Sequence, residues 1–150
     1  MEEEILKLKQ HMDARYPLFL MLSHEERRVW RQLGFFAEDE GLELWRWRAT
    51  VGLEGPKGVV EDTRSAIKAI AYFLKHKYPS LLVFWGLESY FSNNEVIRAL
   101  RDLCLEVGAK RQSVIIQSPT LKIPEELEKS LAVLDVPLPS VEEGQMLLDV

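Results

Sequence analysis

Cysteine is nearly missing from this chain of 150 residues. Cys104 stands alone, so no internal disulfide forms, and no CxxC or cysteine–histidine cluster offers a zinc site. Long apolar runs are missing too. The run at 18–22 has five residues and none exceeds six, far below the roughly 18 a membrane span requires, so no membrane partner is expected. The acidic start MEEEILKLKQ lacks the basic head and apolar centre of a signal peptide, so the expected compartment is the cytoplasm. Basic residues are outnumbered, 19 against 24 acidic, for a net charge of −5. That balance argues against a nucleic-acid partner, because phosphate binding needs an electropositive surface. Eight glycines are present, but none sit in a GxGxxG. Gly52, Gly55 and Gly58 surround Lys57, yet the next residues are Gly58 and Val59 rather than the hydroxyl residue a phosphate loop needs. No cofactor or metal site is therefore expected.

What is present is a regular alternation of elements. Residues 2–15 place Ile5, Leu8 and Met12 at helical spacing. The run 18–22, uniformly apolar and bounded by Pro17 and Ser23, reads as a buried parallel strand. Ser23 and Glu26 have capping-box spacing and open a helix carrying Val29, Trp30, Leu33 and Phe36, which Gly41 ends. Residues 42–50 alternate strictly: Trp45, Trp47 and Ala49 on one side, Leu44, Arg46 and Arg48 on the other. One polar face predicts an edge strand, with the tryptophans under a helix and the arginines outward. Residues 51–60 read as a flexible loop, and Asp62 as the cap of a helix carrying Ile67, Ile70, Ala71 and Leu74, broken at Tyr78-Pro79.

The third strand is expected at 80–87. Ser92 with Glu95 predicts a second capping box for the helix of Val96, Leu100, Leu103 and Val107, stopped by Gly108; Cys104 on it is expected to be buried and inert. The fourth strand is expected at 113–117, a short helix from Pro124, the fifth strand at 131–136, and a last helix at 141–148 behind a Ser140/Glu143 box. Alternating helices and strands predict one α/β domain over 1–150, with an N-terminal helix (1–15), a core (16–139) and a C-terminal helix (140–150). Its layers are helix, five-stranded mostly parallel sheet, helix.

Ligands of such sheets sit beyond the carboxyl ends of the strands. There His24, Glu88 and Ser118 suggest a serine–histidine–acid arrangement for a small hydrolase or transferase. However, Ser118 precedes Pro119 and lacks a glycine-flanked elbow. Arg27, Arg28, Arg31, Arg46 and Arg48 form a candidate basic patch, suited to an interaction surface or to a nucleic-acid accessory role.

The stretch from Tyr16 through Ser23-His-Glu-Glu-Arg-Arg-Val-Trp30, followed by the Gly41-to-Trp47 segment, resembles the N-terminal domain of an uncharacterised AAA-type ATPase family. That family is known from a hypothetical chloroplast reading frame and occurs in plastids, cyanobacteria and other bacteria. Val114 to Pro119, Ile123 to Glu128 and Val133 to Pro139 resemble the same domain's last two strands. The resemblance spans roughly residues 16–143 and implies a degenerate copy of the AAA core with P-loop sheet order 5-1-4-3-2. It places Ser23-His24-Glu25-Glu26 where a phosphate loop would lie, and Gly86 where related domains often carry an acid. It implies a non-catalytic domain for protein–protein assembly or regulation, whose partner is an ATPase module or a second copy. The family's catalytic module would follow Val150, so ATPase activity is not expected of this chain.

Overall fold

The computed structural model describes residues 1–107 and 111–136. The helix expected at 141–148 and the glycine stop at 108 lie outside these residues. Thirteen elements are described. Strand β1 (Leu18–Leu22), wholly apolar, is flanked in parallel by β6 (Gln112–Ser118) and β7 (Leu131–Asp135). Strand β5 (Ser80–Trp85) pairs in parallel with β6 on one side and with β2 (Glu43–Arg48) on the other.

Two further strands correct the sequence reading. Residues expected to be a loop form β3 (Gly52–Gly55) and β4 (Gly58–Val59), an antiparallel hairpin that adds to β2. The sheet is therefore mixed, mostly parallel and seven-stranded, in the order β4-β3-β2-β5-β6-β1-β7. The order 5-1-4-3-2 has no place for this hairpin. The half-polar β2 is not an edge strand, because the hairpin covers its outer side. The glycines permit this: Gly52 and Gly58 hold φ of 101° and 112°, a region closed to most side chains.

Helices cover both faces. Helices α1 (Glu2–Asp13) and α2 (Glu26–Glu40) bury Leu8, Met12, Val29, Leu33 and Phe36 against Phe19, Met21, Val83 and Ile115. Helices α3 (Ala66–Lys75) and α4 (Asn94–Val107) bury Ile70, Phe73, Leu100 and Leu103 against Leu20, Trp47, Leu82 and Ile116. The alternation of strand side chains sorts each strand's residues between these two cores.

Helix ends differ from the expected ones in detail. The cap position of α2 is Glu25, and Ser23 Oγ accepts the Glu25 backbone N–H in a turn rather than capping the helix. Ser65, not Asp62, caps α3; Asp62 sits at φ 59° and pairs with Lys68. Asn93, not Ser92, accepts the Glu95 and Val96 N–H groups at the start of α4. Pro124 precedes a 3₁₀ helix at Glu125–Ser130. Short polar residues compete for such turns, so a capping box is easily misplaced by a residue or more.

Candidate functional site at the carboxyl edge of the sheet

The carboxyl ends of the parallel strands gather Leu22, Arg48, Trp85, Ser118 and Asp135 along one edge. Between β1 and α2, where a phosphate loop would wrap an anion, the chain makes the short turn Ser23-His24-Glu25. The Glu25 N–H is already taken by Ser23 Oγ at 3.0 Å. Glu25 is in turn held by Arg28 at 2.7 Å, and Glu26 occupies the first helical position. No glycine lets amides converge here, and carboxylates stand where phosphate charge would approach.

The three candidate catalytic side chains take separate roles. His24 is exposed and lines a shallow cleft of about 200 Å³ with Pro119 and Asp135. Ser118 is buried, and its hydroxyl donates to the Thr120 carbonyl while accepting the Thr120 N–H, closing the turn before Pro119. Glu88 lies on the 3₁₀ helix Leu87–Tyr90, which follows Gly86 at φ 78°. Its Oε2 is buried and has no hydrogen-bond partner among the described residues. No hydrogen bond among those residues links His24, Ser118 and Glu88. Cys104 is half-buried rather than fully covered. Desolvation pushes its thiol up to about 11, against a weaker lowering by a Ser130 hydrogen bond, so it stays protonated near neutral pH. No set of three or more His, Cys, Asp or Glu side chains among the described residues is arranged to hold a metal. No helix among them is long and apolar enough to cross a membrane.

The candidate arginines divide. Arg27 and Arg31 are exposed on α2, and Arg28 pairs with Glu25. Arg46 and Arg48 do not join them on open surface; both are half-buried on the α1/α2 face of the sheet. The Arg46 guanidinium lies 4.6 Å from the centroid of the Trp30 ring and 4.7 Å from that of Trp85, and its Nη2 donates to Glu54 Oε1 at 2.6 Å. The two rings meet edge-on at 6.0 Å. Arg48 lies 5.8 Å over Trp85 and makes no hydrogen bond or ion pair among the described residues. Trp85 donates its Nε1–H to Gln117 Oε1 at 2.9 Å. Trp30, Trp85 and Gln117 were not singled out from the sequence as site residues; the signal available was the register that alternation imposes once the strand order is known.

A mixed, mostly parallel seven-stranded sheet between two helical layers defines an α/β domain. More particularly, the chain belongs to the SpoVK-like AAA ATPase N-terminal domain family, which matches residues 2–136. It is also similar to the uncharacterized AAA domain-containing protein ycf46 of Gracilaria tenuistipitata var. liui, 22% identical over 129 residues. That match covers 84% of this chain and 26% of the relative, so the chain spans about a quarter of that protein's length.

Proposed function

We propose that the chain is a non-catalytic, ATPase-like domain that serves assembly or regulation beside an AAA-type ATPase module. The observation that carries this reading is the β1–α2 turn: it is short and free of glycine, the Glu25 N–H is held by Ser23 Oγ, and two acids, Glu25 and Glu26, begin the helix where a phosphate loop would lead into it. An ATPase-like origin is supported by the parallel subset of the sheet. Leaving out the hairpin, those strands run β7-β1-β6-β5-β2, the 5-1-4-3-2 order of a P-loop core. A further support is that β5 ends in Trp85-Gly86, with no carboxylate at those two positions to hold magnesium.

An assembly role draws on the outer side of α1 and α2. Leu6 and Phe35 are 55% and 57% exposed there and border a cleft of about 330 Å³ with Ile5 and Phe36. Large apolar side chains grouped around a cleft are the usual mark of a protein contact. Titration with Mg-ATP by calorimetry tests the first half, with no binding heat expected. A micromolar dissociation constant together with hydrolysis overturns it. Co-purification with an intact ATPase module of the family tests the second half; Phe35→Glu is expected to abolish it, and retention overturns this surface.

A further inference from the structure

Four buried side-chain atoms among the described residues have no hydrogen-bond partner: Arg46 Nε, Arg48 Nε, Gln117 Nε2 and Glu88 Oε2. Three of the four are donors, and all three belong to one face at one edge of the sheet. Met21 pairs with Gln117, and Gln117 with Trp85. Trp47 pairs with Phe84, which sets Arg48 beside Trp85, so Gln117, Trp85 and Arg48 form one cross-strand row. Arg46 lies two residues earlier on β2, on the same face.

The row is costly as it stands. Gln117 is only 3% exposed, its oxygen is used by Trp85, and its amide nitrogen finds no acceptor. Arg48 carries a full charge with no carboxylate partner among the described residues, while Arg46 next to it has Glu54. A structural row would have matched donors with acceptors or used apolar residues, since buried polar groups normally find partners. What the row lacks is an acceptor carrying negative charge.

We propose that Arg48, Trp85 and Gln117 form a binding site for a small oxyanion, a carboxylate or phosphate, distinct from any nucleotide position. Arg48 supplies the charge and a forked pair of donors, which suits the geometry of both groups. The Gln117 amide supplies a neutral donor, and the Trp85 ring floors the site between them. Exposed Arg27 and Arg31, on the helix that carries Trp30, keep the approach electropositive. The site lies at the carboxyl edge of the sheet, where α/β proteins hold ligands, on the β6-β5-β2 side: Gln117 is on the strand next to β1, and Arg48 is three strands from β1.

The test uses the full chain, labelled with ¹⁵N, without magnesium or nucleotide. Sodium phosphate and sodium succinate are titrated in parallel, with sodium chloride at matched ionic strength as reference. The Arg48 Nε–H and Gln117 side-chain amide signals are expected to shift saturably, with a midpoint of about 1 mM or lower for the preferred anion. The lower of the two midpoints tells phosphate from carboxylate. Arg48→Met is expected to weaken binding about tenfold or more. Gln117→Glu keeps an acceptor for Trp85 and places a carboxylate within the site, so it is expected to abolish binding without lowering the unfolding midpoint. Shifts that merely follow chloride overturn the proposal, since water then suffices for these donors. Saturable binding left unchanged by both substitutions overturns it as well.

Discussion

The two faces of the sheet are built from the same strands yet solve opposite problems. On the α3/α4 side, β2 contributes Trp45 and Trp47. The Trp47 ring is fully buried, its Nε1–H donates to the Thr63 carbonyl at 2.9 Å, and Thr63 Oγ1 both accepts the Leu53 N–H and donates to Val60. The Trp47 N–H and the Thr63 hydroxyl are both answered through the hairpin connection. On the α1/α2 side, one residue along, β2 contributes Arg46 and Arg48, met by the rings of Trp30 and Trp85 and by a single carboxylate, Glu54. Closed packing on one face and unmatched donors on the other show that alternation assigns side chains to faces without telling which face is dry. One face is organised for stability, the other retains polar chemistry that packing alone does not require.

Trp47→Ala should break this contrast most severely. It deletes a fully buried ring that touches Phe84 and Tyr90 at centroid distances of 5.5 and 5.9 Å, and leaves the Thr63 carbonyl without its donor. The expected cost is about 3–5 kcal/mol in urea unfolding. Arg46→Met on the opposite face keeps the aliphatic stem between the rings but loses two cation–π contacts and the Glu54 pair. Glu54 is half-exposed and regains water, so the loss should be about 1–2 kcal/mol. Comparable losses from the two substitutions would mean that the faces contribute alike and that the division drawn above is wrong.

Much of this division was legible in the residues. The apolar run 18–22 was legible as a buried parallel strand because only a strand covered on both faces is uniformly apolar, and Gly41 marked the end of α2 because its left-handed φ of 66° suits glycine. Trp45 and Trp47 were legible as core from period two alone. The hairpin was not. Gly52-Leu-Glu-Gly-Pro-Lys-Gly58 is rich in turn formers, and its two strands owe their pairing to β2, a long-range partner that local propensity does not see. Once β2 gained that neighbour it ceased to be an edge, and its arginines no longer faced water. That no hydrogen bond among the described residues joins His24, Ser118 and Glu88 was equally hidden, because sharing a strand-end edge does not fix where a side chain turns; the Ser118 hydroxyl closes its own Thr120 turn.

The smallest expected effect distinguishes the faces by pH. Glu40 ends α2, where the helix dipole disfavours a carboxylate, and it is offset there by Arg111, which hydrogen-bonds both its side chain and its backbone carbonyl, and by Lys9 of α1 at 3.5 Å. The Arg111 hydrogen bond is the main cause that holds the Glu40 carboxyl below its ordinary 4.5, partly opposed by desolvation. In the unfolded chain Glu40 takes up its proton at the higher, ordinary value, so its contribution to stability is complete above pH 4.5 and declines as acidification carries the pH through the lower folded value. Glu40→Gln should therefore lower the urea midpoint slightly near neutrality, by less than Arg46→Met does, and the difference from the parent chain should shrink progressively below pH 4.5. Hydrogen exchange followed down the same acid series should show earlier opening at the α1–α2 contact than in α3 and α4. A difference that stays constant with pH would dissociate Glu40 from the fastening of those two helices, and uniform opening across both faces would mean the sheet does not insulate one core from the other.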